Sequence, residues 1–354
     1  MGDKTKIEWT DATWNPVIGC SKVSAGCQNC YAESVAKRFG KEGEYYGEVI
    51  SSNGYGTPIK WSGNTVRKDP EFNPLRVRKS RTIFVCSMGD LFHESVPDEW
   101  IDDVMAVIAM TPQHRYMILT KRPKRMKDYF GQDDKRAIKI MTSLFMWQDE
   151  LVDSPDYDFS VDNKVNRALA RLSLDGGWPL SNLALGVSIE DQKSADERIP
   201  ILLRTPAAKR FVSYEPALGP VDLMDISFNV PGGEAHISAL DCDVDLDDDE
   251  LFHGVTLDLV IAGGESGPKA RPMHPDWARS MRDQCKITGV PFHFKQWGKW
   301  VYPSQMTEKT FRAWDYWHGT ENHHPKPWGF TKQQAGRLLD GVEHNGVIDW
   351  GISR

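Results

Sequence analysis

Apolar segments of strand length alternate with helical segments along most of this 354-residue sequence, and that alternation limits the possible folds more than any other feature. The strand-like segments, each ending in a polar turn, lie near Val17 and at 81–90, 114–123, 182–191, 208–219, 257–267 and 290–298. Between two of them, residues 97–111 have helical periodicity, with Trp100, Val104, Val107 and Ile108 on one face. Because strands that alternate with helices pair in parallel, the sequence predicts an α/β fold, namely a full or partial (β/α) TIM-type barrel of six or seven parallel strands.

Two segments interrupt this rhythm and one follows it. We predict a barrel domain over residues 1–298, with insertions at about 131–180 and 224–256. An irregular, aromatic C-terminal extension over 299–354 is expected to pack on the barrel. Length alone suggests about two domains, but a barrel of this length also forms a single one.

Composition places the chain among soluble globular proteins, since 40% of its residues are hydrophobic and 26% are charged. The sequence has no signal peptide and no apolar run of about 18 residues, so we expect a cytoplasmic protein without a membrane partner. The net charge of −7 argues against a protein that coats nucleic acid unspecifically. Basic runs at 66–81 and 120–127 are expected on a solvated surface or at a nucleic acid, and the acidic run at 241–250 in a flexible insertion.

Three of the six cysteines, Cys20, Cys27 and Cys30, fall in one short segment with the spacing C-x6-C-x2-C. An odd number cannot all pair as disulfides, and clustered thiols in a reducing compartment more often bind metal. One interpretation is a structural zinc whose fourth ligand is a histidine or another cysteine, and a second is structural cysteines without metal. The remaining cysteines are Cys86, Cys242 and Cys285. The third interpretation is a [4Fe–4S] cluster on three cysteines with one iron left open, which suits a sequence without a second C-x2-C pair.

The cysteines are predicted to lie at the start of a helix. Residues 28–39 contain no glycine or proline, and Gly40 is expected to end the helix. Cys27 and Cys30, three residues apart, would then share one helix face. The free N–H groups and positive dipole of a helix start favour thiolate ligands.

Polar turns follow every predicted strand, and in β/α barrels the functional groups lie at the carboxyl ends of the strands. Cations at these ends are expected to hold a substrate carboxylate or phosphate, or else to form salt bridges at the rim. The glycine-rich turn GGESG would let the backbone approach adenine or a substrate closely. The residues predicted for the substrate are Lys121, Arg122, Arg271, Lys295, Gln296 and Trp297, and those of the glycine-rich turn are Gly263, Gly264 and Glu265. Some tryptophans are expected in the core, whereas Trp9 and Trp14, just before the cluster, are expected to shield the cluster or to stack on bases.

The sequence resembles the radical S-adenosylmethionine (radical SAM) superfamily, in which three cysteines follow the first strand of a partial β/α barrel. It is more closely similar to the phage-associated three-cysteine-motif family of unknown function. The matching blocks lie between residues 7 and 298 and read IEWTDATWNPVIGCSKVSAGCQNCYAE, FVCSMGDLFHESVP, LTKRPKRM, LGVSIEDQ, VSYEPALGPVDL, IAGGESGPKARPMHPDWARSMRDQC and FKQWG. Two features depart from the superfamily, whose usual spacing is C-x3-C-x2-C and whose last cysteine usually follows an aromatic residue, where this chain has Asn29.

The resemblance implies two cofactors, a [4Fe–4S] cluster on the three clustered cysteines and SAM bound to the open iron. It also implies an electron donor such as flavodoxin or ferredoxin. Contacts to SAM would come from the ends of the second, fourth and fifth strands and from the glycine-rich turn. The residues at those strand ends are Ser87, Gly89, Asp90, Ser188, Glu190, Ser213 and Glu215. The alternative for the second strand end is a capped strand-to-helix turn without a ligand.

The implied reaction is reductive cleavage of SAM to methionine and a 5′-deoxyadenosyl radical that takes hydrogen from a substrate. The phage association implies a base or nucleotide of phage DNA as substrate, for example a hypermodified thymine whose side group is rearranged by an isomerase. A phage-encoded protein would act in the cytoplasm of the bacterial host. The alternative is a nucleic-acid-binding or scaffold protein that a zinc or iron–sulfur site stabilises.

Overall fold

The computed structural model of the chain describes residues 5, 7–40, 45–53, 55–68, 72–152, 159–173, 177–230, 233–241, 254–306, 308 and 328–351. Seven of its strands form one parallel sheet, in which the order of the strands follows the chain. These strands are β1 (Ala12–Trp14), β2 (Thr82–Val85), β3 (Arg115–Thr120), β4 (Leu183–Ile189), β5 (Lys209–Tyr214), β6 (Leu259–Gly263) and β7 (Phe292–Gln296). The predicted fold class, an α/β fold of the partial-barrel type, is confirmed.

Helices connect most of the strands. They are α1 (Tyr31–Arg38), α2 (Asp98–Met110), α3 (Pro123–Phe130), α4 (Asp133–Val152), α5 (Phe159–Leu172), α6 (Gln192–Leu203), α7 (Pro275–Thr288) and α8 (Lys332–Ala335). Short 3-10 turns lie at Ala25–Cys27, Gly47–Val49, Pro74–Arg76 and Pro303–Gln305. Paired short strands outside the main sheet are Val17–Ile18 with Val66–Arg67, Ile50–Ser52 with Pro58–Trp61, Ile226–Val230 with Gly233–Ile237, Trp300–Val301 with Trp328–Gly329, and Leu338–Leu339 with Val342–Glu343. None of the helices among the described residues is long and apolar enough to cross a membrane.

Local sequence explains where the main elements begin and end. All seven residues of β4 are buried, as expected for a parallel strand that is covered on both faces. The helix α6 starts with a capping box, in which the Asp191 side chain accepts from the N–H of Ser194 and the Ser194 side chain accepts from the N–H of Asp191. The helix α7 starts at a proline and ends at Gly289, whose φ of 76° is a left-handed conformation that glycine adopts without strain.

The chain divides into two compact units. Unit 1 consists of Met1–Ser21, Val35–Gly186 and Thr205–Lys209. Unit 2 consists of Lys22–Ser34, Val187–Arg204 and Arg210–Arg354. Unit 1 therefore contains the first cysteine of the cluster motif, and unit 2 contains the other two.

The two predicted insertions and the C-terminal extension contain regular structure in their described parts. The segment 131–180 contains α4 and α5, and the segment 224–256 contains the hairpin with strands Ile226–Val230 and Gly233–Ile237. Most of the acidic run 241–250, together with Cys242, lies outside the described residues. In the described part of the C-terminal extension, the backbone near residue 345 bonds to β7, where the N–H of Phe294 donates to His344 over 3.0 Å.

Candidate functional site

Cys20 lies in unit 1, shortly after β1. The preceding residue, Gly19, has a φ of 99°, and a Cβ there would lie 2.2 Å from the carbonyl oxygen of Asn64, so only glycine fits. The Gly19 N–H donates to the carbonyl of Met88 over 3.1 Å, which ties this turn to the segment after β2. The Cys20 thiol is half-buried, and Nη1 of Arg122 donates a hydrogen bond to its Sγ over 3.6 Å. Unit 1 thus ties the turn after β1 to the segment after β2 and places an arginine from the end of β3 on this thiol.

Asp90, which follows β2, is buried, and other residues of unit 1 occupy its carboxylate. Oδ1 accepts hydrogen bonds from Thr120 Oγ1 over 2.8 Å and from the N–H of Phe92 over 3.0 Å. Oδ2 accepts from Arg122 Nη1 over 3.0 Å and from the N–H of Lys121 over 3.3 Å. Binding of the SAM ammonium, the predicted role of Asp90, would require this carboxylate to exchange one of these partners.

Ser87 and Gly89 serve the packing of the same turns. The Ser87 hydroxyl and the N–H of Met88 both donate to Oδ1 of Asn15, over 3.1 and 3.0 Å. A Cβ at Gly89 would lie 3.0 Å from the carbonyl oxygen of Gly19, so the backbone approaches closely here. Both predicted SAM residues therefore lie against the turn that precedes Cys20.

A buried histidine, His93, contacts Ser21, the residue that follows Cys20. Nδ1 of His93 accepts the N–H of Ser95 over 3.1 Å, so in the neutral ring Nε2 carries the proton and donates to Ser21 Oγ over 2.9 Å. Burial lowers the pKa of His93, and the charge of Arg122 lowers it further. The ring is therefore neutral at pH 7, and Ser21 accepts hydrogen bonds from both His93 and Arg122.

Cys27 and Cys30 lie in unit 2, around the start of α1. Cys27 ends a 3-10 turn, and its Sγ lies 3.7 Å from Ser24 Oγ. Cys30 directly precedes α1, where its Sγ accepts a hydrogen bond from the N–H of Glu33 over 3.5 Å. The predicted helix over 28–39 thus begins later, at Tyr31, because the 3-10 turn comes first. The position before the helix suits a thiolate, since free N–H groups point toward it.

Glu190, at the end of β4, holds the segment between the cysteines and is only 1% exposed. Its Oε1 accepts a hydrogen bond from Ser24 Oγ over 2.7 Å, and its Oε2 pairs with Arg198 Nη1 over 3.1 Å. A Cβ at Gly26 would lie 2.3 Å from Oε1, so glycine is needed where the carboxylate passes. The carbonyl of Ser188 accepts a second bond from Arg198 over 2.6 Å. Both residues predicted at this strand end for SAM therefore contact Arg198, and Glu190 also contacts the cysteine segment.

Glu265, in the glycine-rich turn after β6, holds the same segment at a second point. Its carboxylate accepts Nη2 of Arg271 over 2.6 Å and Nδ2 of Asn29 over 3.1 Å. Arg271 Nη2 also donates to the carbonyl of Ala25 over 3.0 Å. Burial raises the pKa of Glu265, but the hydrogen bonds from Arg271 and Asn29 outweigh burial and hold the pKa below its usual value. Arg271, predicted for the substrate, is thus engaged with the cysteine segment.

A half-buried ion pair joins the ends of β5 and β7. Lys295 Nζ lies 2.9 Å from Glu215 Oε1, and the two side chains are 19% and 14% exposed. Ser213 Oγ donates to Glu215 Oε2 over 3.1 Å. A Cβ at Gly263, on the strand between them, would lie 2.6 Å from Glu215 Oε1. Four predicted site residues are therefore in mutual contact, and their charged groups remain partly accessible.

The last strand end is less suited to a ligand. A Cβ at Gly264 would lie 2.0 Å from the carbonyl oxygen of Trp297, so the two turns are in close backbone contact. Trp297 is 1% exposed, and its Nε1 donates to the carbonyl of Leu338 over 2.8 Å. Gln296 is buried, with Nε2 donating to the carbonyl of Gly264 over 3.4 Å. Trp297 is a core residue, which is a different role from the predicted substrate contact.

The donor chemistry of the three clustered cysteines fits iron or zinc, because each thiol is half-buried and has a polar partner. Cys86 and Cys285 are buried instead, and burial raises the pKa of each to about 12, which disfavours the thiolate that binds metal. Within the part of the chain that the structure describes, no group of three His, Cys, Asp or Glu side chains is arranged to hold a metal ion.

Comparison with known proteins identifies a family. A family model described as "Protein of unknown function (DUF5131)" matches residues 4–347. The chain belongs to the DUF5131 family. No curated protein matches the sequence, and no solved structure matches it.

Two tryptophans of this DUF5131 chain are core residues. Trp9 is buried against Phe84, with ring centroids 4.8 Å apart, and Trp14 against Tyr116, at 6.3 Å. Both rings therefore pack in the core, which is a different role from the predicted base stacking.

Sequence reasoning missed several residues of the DUF5131 site. They are Ser21, Ser24, Asn29, His93, Glu94 and Arg198. Three of them lie in the gaps of the cysteine motif, where small polar residues beside ligand cysteines were the available signal. His93 and Glu94 follow Asp90 in the turn after β2. Arg198 lies in the second turn of α6, eight residues after Glu190, and no signal in the sequence links it to the cysteines.

Proposed function

We propose that this chain is a radical SAM enzyme that carries a [4Fe–4S] cluster on Cys20, Cys27 and Cys30. The environment of these thiols supports the proposal most. Each thiol is half-buried and has a polar partner. These thiols lie close to residues at the strand ends of a parallel β/α sheet, where β/α barrels carry their functional groups. The joint assignment of the three as ligands of one cluster rests on their spacing in the sequence.

When bound, such a cluster supplies the electron that splits SAM into methionine and a 5′-deoxyadenosyl radical, which takes hydrogen from the substrate. The chain's residues hold the ligands and orient the small molecules. Asp90, Glu190 and Glu265 are assigned to holding the residues around the cysteines, because their carboxylates are engaged there. Ser213 and Glu215 keep the role of SAM contacts, since Glu215 is a strand-end carboxylate that remains partly accessible and suits ribose hydroxyls.

For the substrate we propose a base or nucleotide of phage DNA. The chain would act on it as an isomerase, in the cytoplasm of the bacterial host. Lys121 and Lys295 are the cations assigned to its phosphate, and Lys295 is 19% exposed in its pair with Glu215. Arg122 is removed from this set, because its guanidinium is engaged with residues of unit 1. Binding of polymeric DNA should fall steeply with added salt, whereas binding of a free nucleotide should respond weakly.

Reconstitution of the purified protein with iron and sulfide, without oxygen, tests the cofactor. The parent protein should become brown, hold about four irons per chain, and release 5′-deoxyadenosine when it is reduced with SAM by dithionite or a flavodoxin. Cys20→Ala, Cys27→Ala and Cys30→Ala should each abolish the iron–sulfur absorbance. Cys285→Ala is the matched control and should retain it, because Cys285 is buried in α7.

Two outcomes would contradict the proposal. Full retention of the cluster by Cys27→Ala would remove the ligand assignment. A colourless parent protein that holds about one zinc and is indifferent to SAM would support the alternative, a metal-stabilised nucleic-acid-binding or scaffold protein.

A further inference from the structure

Arg122, which follows β3, uses all five of its guanidinium N–H groups within unit 1. Nε donates to both carboxylate oxygens of Glu94 over 3.0 Å. Nη1 donates to Asp90 Oδ2 over 3.0 Å and to Cys20 Sγ over 3.6 Å. Nη2 donates to the carbonyl of Ser21 over 3.2 Å and to its hydroxyl over 2.8 Å. The side chain is 5% exposed, so its planar fork is fixed by contacts on every edge.

The charge of this arginine is held firmly. Burial alone would lower the pKa of Arg122, but Asp90, Cys20 and Glu94 outweigh burial and raise the pKa above its usual value. Asp90 is itself fixed by Thr120. A permanent positive charge therefore lies next to one cysteine of the motif, in a place that water reaches poorly and where a charge acts more strongly than at the surface.

We propose that Arg122 positions the Cys20 sulfur and makes a cluster on that sulfur easier to reduce. This inference rests on the proposed function, since it takes Cys20 as an iron ligand. A hydrogen bond and a positive charge at a ligand sulfur both favour the form of an iron–sulfur cluster that carries one more negative charge. The step is a transfer of one electron from a low-potential donor to the cluster, in which no bond forms or breaks.

Three variants separate the charge from the packing. Arg122→Gln removes the charge, and Arg122→Lys keeps the charge but not the planar fork. Because Arg122→Gln leaves the buried Asp90 carboxylate without its cation, the double variant Asp90→Asn with Arg122→Gln guards against loss of folding. Arg125→Gln is the matched control, since Arg125 lies on α3 and pairs with Asp98.

The first measurement is the midpoint potential of the reconstituted cluster, titrated with dithionite and followed by absorbance. Arg122→Gln and the double variant should shift the potential to more negative values by about 59 mV or more, a tenfold change in the one-electron equilibrium. Arg122→Lys should shift it by less than half as much, and Arg125→Gln should leave it unchanged. A cluster in Arg122→Gln with the parent's potential would overturn the proposal.

The second measurement uses the protein without iron. Cys20 is labelled with an anionic aromatic disulfide and, separately, with a neutral one, and each rate is measured on the peptide that contains Cys20. Both rates are proportional to the fraction of thiolate, so the ratio of the anionic to the neutral rate does not depend on that fraction. Loss of the neighbouring cation should lower this ratio about fivefold in Arg122→Gln and not in Arg125→Gln. An unchanged ratio would also overturn the proposal. If the parent takes up no cluster, the proposed function fails, and the labelling ratio still decides whether Arg122 acts on Cys20.

Discussion

Replacement of Ser24 by alanine should loosen the segment that carries Cys27 and Cys30, because Ser24 is one of the points at which a strand end holds it. The Ser24 hydroxyl donates to Glu190 Oε1 over 2.7 Å, and the carboxylate is buried and also paired with Arg198. The variant removes one hydrogen bond and leaves the rest of the segment intact.

The size of the effect follows from the charge of the acceptor. A hydrogen bond to a charged group contributes about 1.5–3 kcal/mol. Since about 1.4 kcal/mol is a factor of ten in an equilibrium, the open form of the segment should become about 10- to 150-fold more populated. The fraction of open segment, rather than global stability, is the quantity to measure, because a chain with two compact units need not unfold in a single step.

Cleavage after Lys22 by trypsin reports that fraction. Lys22 pairs with Glu33 over 2.9 Å, and a protease must bind an extended stretch on both sides of the bond, so the segment has to open before it is cut. When opening and closing are fast compared with cleavage, the rate is proportional to the open population. The summed rate of appearance of the peptides that end at Lys22, whether or not Lys4 and Lys6 are also cut, should therefore rise by the factor given above when followed by mass spectrometry.

The matched control is Ser173→Ala. Ser173 donates to the carbonyl of Leu169 over 2.7 Å at an exposed position after α5, so the same substitution there should change cleavage after Lys22 by less than about twofold. Cleavage of Ser24→Ala at the parent's rate would refute the reasoning. So would cleavage of the parent as fast as in urea, because the segment would then not be held at all.

Three further predictions concern other parts of the chain. Cys86 and Cys285, whose pKa values burial raises to about 12, should resist iodoacetamide at pH 8 in the native protein, and rapid labelling of either by peptide mapping would contradict their burial. The pKa of Glu265 is lowered in the fold, so this carboxylate stabilises the fold at pH values above its usual pKa of 4.5, and the stabilisation is lost as the pH falls through the lowered pKa. Arg271→Gln should therefore flatten the acid dependence of stability measured by urea unfolding, and an unchanged pH profile would contradict the pairing. Asp340→Asn should raise hydrogen exchange in the hairpin with strands Leu338–Leu339 and Val342–Glu343, because two arginines of α7 donate to that carboxylate and hold its pKa low, and parent-like exchange would show that the pairs stabilise nothing.

The fold could be predicted because its signal is local. A strand such as β4, buried at all seven positions, must be a continuous apolar run, and the turn that follows it must be polar. The same local signal predicts the start of α1 at residue 28, which is too early. The absence of glycine and proline does not distinguish the end of a 3-10 turn from the first turn of a helix. Strand ends could also be predicted as places where polar side chains gather, as the contacts of Asp90, Glu190 and Glu265 show.

What each strand-end side chain does could not be predicted, because its partners are far away in the chain. Glu190 and Ser24 are separated by 166 positions, and Glu265 and Asn29 by 236. Periodicity reports which face of an element is buried, but it carries no information on which of several polar groups will pair across such separations. A strand-end carboxylate therefore looks the same in the sequence whether it binds a ligand or holds a loop.

These contacts also involve the long first gap of the cysteine motif. The gap has six residues, and the last three of them before Cys27 are in contact with residues at strand ends or after them. Ser24 donates to Glu190, the carbonyl of Ala25 accepts from Arg271, and Gly26 lies so close to Glu190 that no side chain fits. In this chain the six-residue gap and the engaged Glu190 carboxylate occur together, so this strand-end acid holds the loop. Under the proposed function, SAM would instead be bound by the partly accessible pair at the ends of β5 and β7.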